Sequence, residues 1–451
     1  MGSTMNPINS SVIATALVTI AADTRSSIGT TTILVSALYL ASAVAQPTCG
    51  KLAEELGPRR VFMAGAVIVF AAGIVGGLGN TLLVLTVARV LIGVGTSAAY
   101  PSAMLLIRRR ATEAKLAEPP GTVLGGLAIA GQATLAVGPT IGGLLLAAFG
   151  WRSAFLLNLP LATTALVMAA LWTPRDPPIA ATDAPELADR IDLPGIVGFA
   201  SSMICLLVFV MSIPDPDWIS GAIGATIGAA FLWWELRARM PFVDMHLLAS
   251  APSLSRTYLR WGLTLFGSYT ILYGFTEWLE AARGLSPGEV GLLLMPTGLL
   301  SAIISRRVAS RNVVRAPLII SAISLVAAAI VTLFLTSHTS VAAILLVTVI
   351  FGVTQGTSSV SNQAALYQQA PPTKVGTAAG LLRTSGYIGA IAAASIISIE
   401  FHEGISDAGL HHISWVLLGI GVILVVLTTL DRHIGSKRGS LKRDAKRHHD
   451  V

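Results

Sequence analysis

The chain has 451 residues, 53% hydrophobic and only 12% charged, about half the charged share of a soluble domain. Its formal net charge is +7 and its mean hydropathy +0.74. These values exclude a string of soluble domains. Apolar stretches of about 20 residues recur from end to end, the length that crosses a hydrocarbon core, and predict an all-α polytopic membrane protein rather than a barrel of short alternating strands.

Spans are expected near residues 6–23, 30–50, 60–79, 81–106, 122–148, 153–173, 193–213, 218–237, 258–279, 287–305, 315–336, 340–367, 376–399 and 411–431, about fourteen in all. The first begins almost at Met1, so no cleavable signal peptide is evident. It carries Asn9 in "INSSVIATALVTIA". Between spans 2 and 3 lies a charged turn, "GKLAEELGPRR" (50–60), where Gly50 and Gly57 permit tight backbone and close helix approach. Glu54 sits where it can meet a helix N-terminus or an Arg, and Arg59 and Arg60 hold the turn at one face.

Span 4 contains Arg89, an intramembrane cation that costs about 2.5–3.5 kcal/mol on insertion scales and so is expected to face a bundle interior or cavity. Span 5 reads "GQATLAVGPTIGGLLL": Gln132 is polar, Gly138-Pro139 interrupts the helical ladder, and Gly142-Gly143 bares the backbone for close packing. "WRSAFLLNLP" follows at 151–160. A link running to "DLPG" leads into spans 7 and 8, and "RARMPFVDMHLL" leads out of them.

Span 9 places Tyr269, Tyr273 and Glu277 at four-residue spacing, a stripe able to line an aromatic, cation-accepting cavity. Glu277, near the outer end, is the first candidate for a proton-coupling acid. Asn362 and Gln363 in span 12 are adjacent and cannot face the same way. Arg383 and Tyr387 lie well inside span 13, with Arg383 able to bind an anion or stabilise a neighbouring acid. "ARVLIGVGTSAA" (88–99) is similar to "FGVTQGTSSVSN" (351–362), aligning Gly93 with Gly356. "GKLAEELGPRR" is similar to "RRVASRNVVR" (306–315), which has lost the glycines and acids. Two six-span halves with one additional pair between them follow from this repeat.

Basic residues cluster in alternate connections: Lys51, Arg59, Arg60, Arg108–Arg110, Lys115, Arg237, Arg239, Arg306, Arg307, Arg311, Arg315, Lys374 and the tail "SKRGSLKRDAKRHH". That bias predicts a multi-pass protein of the cell inner (cytoplasmic) membrane with both termini on the cytoplasmic side, the tail near anionic lipid rather than nucleic acid. Cys49 and Cys205 are not expected to pair, and no spacing suggests a metal or a cofactor. No P-loop, HExxH or GxSxG is present, so neither ATP-driven transport nor an enzyme is expected.

With "GKLAEELGPRR", "RVLIGVG", "GQATLAVGPTIGG" and "WRSAFLLNLP" in view, the chain resembles the major facilitator superfamily, specifically its fourteen-span drug/proton antiporter branch. The resemblance implies the major facilitator fold: a bundle at 1–174, a linker with two inserted central helices at 175–251, a second bundle at 252–433 and a basic tail at 434–451. It implies export of amphipathic molecules by proton antiport, the proton gradient being the energy source and the carrier a monomer in contact with lipid. The loop acid that latches one side falls on Glu54, with Gly50, Gly57 and Arg59 shaping the turn. Arg89, with Glu277 and Arg383, falls among the proton-coupling positions. Gly138, Pro139, Gly142 and Gly143 form the span 5 element, and Asn9, Gln132, Tyr269, Tyr273, Glu277, Asn362, Gln363 and Tyr387 the candidate substrate wall. Asn9 stands where the branch often carries an acid, and Asn cannot titrate, so coupling must use another carboxyl. Lipid export and a transporter-shaped sensor that moves nothing are the rival readings.

Overall fold

A computed structural model describes residues 2–26, 28–31, 33–116, 119–177, 191–213, 215–311, 313–402 and 404–431. The basic tail, most of the link before span 7, and the side chains of Gln132 and Pro139 lie outside the described set.

The described residues form helices throughout, because in lipid a helix satisfies its own backbone groups. In chain order they are α1 (Gly2–Asp23), α2 (Ile33–Leu56), α3 (Pro58–Leu78) and α4 (Leu82–Ser97, resumed as Ala99–Glu113). Next come α5 (Gly121–Phe149), α6 (Asn158–Trp172), α7 (Leu193–Met211) and α8 (Trp218–Glu235). α9 runs from Pro252 to Tyr269, through a π turn (Thr270–Phe275), into Thr276–Ala281. The rest are α10 (Pro287–Arg311), α11 (Arg315–Leu333), α12 (Val341–Gln369), α13 (Val375–Glu400) and α14 (Asp407–Leu430).

Among the described residues, ten of these helices are long and apolar enough to cross a membrane, short of the fourteen that hydropathy alone suggested. α8 is only 18 residues long and carries Trp218, Trp233 and Trp234. α9 carries Arg256, Arg260 and Glu277 and is interrupted by the π turn. α5 counts only through the shorter apolar stretch Gly121–Gly131.

The helices pack as two similar halves. In the first, α2 lies on α4, α3 on α4 and α6, and α1 on α5. In the second, α10 lies on α12, α11 on α12 and α14, and α9 on α13. The repeat read from Gly93 and Gly356 has a physical counterpart. A Cβ on Gly93 would stand 2.8 Å from the Leu38 carbonyl, and one on Gly356 would stand 2.8 Å from the Ser301 carbonyl. A serine hydroxyl donates to each glycine carbonyl: Ser42 to Gly93 (3.4 Å) and Ser305 to Gly356 (3.1 Å). Both crossings therefore depend on a bare backbone, which lets helices associate where lipid supplies no hydrophobic drive.

Two seams join the halves, α2 against α13 and α5 against α10. The inserted pair does not sit between the halves. α7 packs on α8 and lies across the first seam, with Leu207 against Ala43 and Ile391, and Ser395 Oγ donating to the Val210 carbonyl at 2.7 Å. Two buried acids fasten the pair to the segment after it. Asp192 caps α7 by accepting from Gly195 N (3.1 Å), and also accepts from Trp234 Nε1 (2.8 Å) and Phe242 N (2.9 Å). Glu235 accepts from Val243 N at 3.2 Å. Lys51, counted from sequence with the solvated basic residues, is instead fully buried, its Nζ 3.4 Å from the Pro241 carbonyl. Trp278, near the C-terminal end of α9, is also buried and donates to Asp407.

Candidate substrate cavity and gate

A partly open cavity of about 130 Å³ lies near the middle of the bundle, lined by both halves: α1, α2, α4 and α5 from one, α9, α12 and α13 from the other. No residue of α7 or α8 lines it. The walls are mixed. Leu127, Leu265 and Leu272 are apolar, Tyr39, Tyr100, Trp261, Tyr269 and Tyr387 are amphipathic, and Gln46, Gln355 and Gln363 are polar. Arg383 rests on the face of Tyr100, its guanidinium carbon 4.0 Å from the ring centroid. The rings of Tyr39 and Tyr387 approach to 5.8 Å, and Gln46 donates to the Tyr387 hydroxyl at 3.3 Å across the first seam.

The charged turn closes this first seam at the end of the bundle where the basic connections gather. Glu54 accepts from Thr377 N at 2.7 Å and from Thr377 Oγ1 at 2.9 Å, so its carboxylate sits on the N-terminus of α13, where peptide dipoles favour negative charge. A Cβ on Gly50 would fall 2.3 Å from the Gly376 carbonyl, and one on Gly380 would fall 2.4 Å from Pro47 Cα, so the two helices touch backbone to backbone. Tyr367 OH donates to the Met104 carbonyl at 2.6 Å, a further tie between halves at this end.

The turn itself is braced within the first half. Gly57 has φ +100°, and a Cβ there would collide with Asp176. Asp176 accepts from Arg60 N (2.9 Å) and from Arg109 (3.0 Å), while Arg59 donates to the Ala170 carbonyl (2.9 Å). Asp176 was not singled out from sequence, and Arg109 was counted there only with the basic connections. They lie 116 and 49 positions from Arg60, so only the fold reveals the set.

The sequence-chosen wall divides. Tyr269, Gln363 and Tyr387 line the cavity, joined by Arg383, expected from sequence at a coupling position; among the described residues Asn9, Tyr273, Glu277 and Asn362 do not. The rings of Tyr269 and Tyr273 lie 5.5 Å apart, but the cavity's α9 lining ends at Leu272, so Glu277, about two turns beyond Tyr269, lies past it. Asn9 forms a closed amide pair with Asn158, donating at 2.7 Å and accepting at 2.9 Å. Asn362 accepts from the buried Arg260 at 3.3 Å, on the side away from Gln363.

Arg89 is buried and donates to the carbonyls of Leu34 (2.8 Å) and Asn9 (3.2 Å), tying α4 to α2 and α1. α5 is helical straight through Gly138-Pro139. Gly138 is where α1 crosses it, since a Cβ there would lie 2.4 Å from Ser11 Cβ, whereas Gly143 faces open space. Missed altogether was the ion cluster of Arg256 and Arg260 with Asp431, at 3.3 and 3.8 Å, which pins the start of α9 to the end of α14. Missed too were Tyr39, Gln46, Tyr100 and Trp261. Tyrosines and glutamines in otherwise apolar spans were the available signal.

The sequence profile of the Major Facilitator Superfamily matches residues 1–394. The chain is 32% identical over 412 residues to an uncharacterized MFS-type transporter of Bacillus subtilis, YwoD, covering 90% of each. It is 28% identical to the tetracenomycin C resistance and export protein of Streptomyces glaucescens, over 90% of this chain and 75% of that one. It is 30% identical to a multidrug resistance protein B homolog of Mycobacterium tuberculosis, over 66% of this chain and 55% of that one. Among solved structures, the human organic anion transporter MFSD10 superposes with a TM-score of 0.66 at 15% identity, over 95% of this chain and 97% of that one. The proton:xylose symporter XylE superposes at 0.63 and 13%, over 94% and 92%. Fold and family thus point to a transporter rather than an enzyme, and the chain belongs to the Major Facilitator Superfamily of multi-pass membrane proteins.

Proposed function

We propose that this chain is a secondary active exporter of amphipathic small molecules, of the multidrug type, driven by proton entry and working by alternating access. The observation that carries the reading is the pairing of a mid-bundle cavity shared by both halves with a charged latch, Glu54 on Thr377, closing one end of it. A carrier needs such a site and a closure that can be made and broken on one side at a time. The printed names of the relatives from Streptomyces glaucescens and Mycobacterium tuberculosis, export and multidrug resistance, agree with this direction.

In this reading the basic end is cytoplasmic, following the positive-inside bias, and the membrane is the inner one. α1, α5, α8 and α9 cross it as well, giving fourteen crossings. The protein works as a monomer, and the proton gradient replaces any cofactor. Gly50, Gly57 and Arg59 shape the gate, and Gly138 gives α1 and α5 a close-packed pivot. Glu277 is the coupling acid, acting through α9, the helix that also carries Tyr269 into the cavity; Arg89 and Arg383 set the charge of the two halves around it.

Purified protein in proteoliposomes tests the reading. An imposed pH gradient should drive uptake of a fluorescent amphiphile in the orientation that mimics export, and collapsing the gradient should stop it. Uptake that ignores the gradient would contradict proton coupling. Glu277→Gln should reduce gradient-driven uptake about 100-fold or more while leaving expression and binding unchanged, within the ~10²–10⁴ range over which positioned acid–base groups act. Wild-type rates in E277Q would remove Glu277 from the coupling role.

A further inference from the structure

The cavity has one sign of charge. Among the described residues Arg383 is its one basic lining residue, and no Asp or Glu lines it. Among the described residues Arg383 makes no ion pair, and its guanidinium rests on the face of Tyr100. An aromatic face offsets part of the cost of drawing a cation out of water, but it supplies no counter-charge.

Three further lining groups are more than nine-tenths buried and lack hydrogen-bond partners: Trp261 Nε1, Gln46 Oε1 and Gln363 Oε1. Buried polar atoms are normally paired, and unpaired ones mark places where a ligand or water completes the set. Around them stand leucines and tyrosine rings that suit a flat apolar body.

Resting on the exporter reading above, we propose that the central cavity selects amphipathic aromatic anions, with Arg383 holding the anionic group, Trp261 donating to an acceptor on the substrate and the Gln46 and Gln363 amides completing its polar rim. This inverts the cation-accepting role that the tyrosine spacing suggested. A cation would meet like charge at Arg383 and find no carboxylate lining the cavity to receive it.

A matched trio of fluorescent probes tests this: dansylglycine (anion), dansylamide (neutral) and dansylcadaverine (cation), titrated into the full chain in phosphatidylcholine nanodiscs. Dansylglycine should bind about 10-fold or more tightly than dansylcadaverine. Arg383→Gln should abolish that preference without lowering the thermal midpoint, and Arg383→Lys should restore part of it. Equal binding of anion and cation, or a preference that survives in R383Q, would overturn the proposal. Anionic lipid offers the same chemistry, so the titration is repeated with phosphatidylglycerol in the disc. Unchanged dansylglycine affinity supports a small-molecule site, and its displacement would assign Arg383 to a lipid headgroup and overturn the substrate class. Transport separates this inference from the reading beneath it. Anion-selective binding without gradient-driven movement would sink the exporter and leave the site, whereas movement of dansylcadaverine as fast as dansylglycine would sink the anion preference and leave the exporter.

Discussion

The two seams between the halves are related by the internal repeat, yet they are closed by different chemistry. At the first, α2 meets α13 backbone to backbone at Gly50 and Gly376, and Glu54 adds a charged acceptor on the α13 N-terminus. At the second, the counterpart of the turn, "RRVASRNVVR", has no acid; a Cβ on Gly125 would lie 2.4 Å from Ala309 Cβ, so small side chains do the packing. One seam combines close contact with a directional, charge-assisted latch, and the other has the close contact alone. The lesson is that a repeat can conserve geometry while only one copy keeps the acid. The first seam is also the one that α7 overlies, so the inserted pair backs the half of the interface that carries the latch.

Substitutions can break that contrast, from the largest effect to the smallest. Gly50→Val should be the most damaging, because its side chain would occupy the Gly376 carbonyl and force the helices apart; overpacking of this kind costs about 1–3 kcal/mol, and transport should fall to background while size-exclusion profiles remain monodisperse. Glu54→Ala should come next. Hydrogen bonds to charged groups contribute about 1.5–3 kcal/mol, so the closed basic end should lose about 10- to 100-fold in population, measured as alkylation of a cysteine introduced at the gate. Combined with Thr377→Val the effects should be less than additive, since both remove one interaction. Ala309→Gly at the second seam should cost least, about 0.8 kcal/mol for one methyl group, with transport rates within about two-fold of wild type. A large loss in A309G would mean that the second seam also carries a switch.

Most of the architecture was legible in the chain because apolar runs, basic connections and the Gly93/Gly356 repeat are all local signals. The charged segment was legible for the same reason, since Gly50, Glu54 and Gly57 stand within eight residues of one another, although the structure carries α2 through Leu56 and leaves Gly57 as the link. What Glu54 would meet was not, because Thr377 is 323 residues away. The cavity was half legible. Polar and tyrosine side chains in apolar spans pointed to Tyr269, Gln363, Tyr387 and Arg383, but a shared helix face does not say how far along α9 the cavity reaches, and its lining stops at Leu272, short of Glu277. Asn9 looked like a cavity residue until its amide was found paired to Asn158, and Lys51 looked solvated until α2 was placed against the segment after α8.

The central claim is that Glu54 holds the basic end shut by gripping the start of α13. Spin labels on cysteines replacing the exposed Glu113 (end of α4) and Thr373 (before α13), in a background lacking Cys49 and Cys205, report the width of that end by double electron–electron resonance. With Glu54 present one short distance should dominate, and E54A should shift the population about 10-fold or more toward a longer one. Identical distance distributions with and without the Glu54 carboxylate would contradict the account.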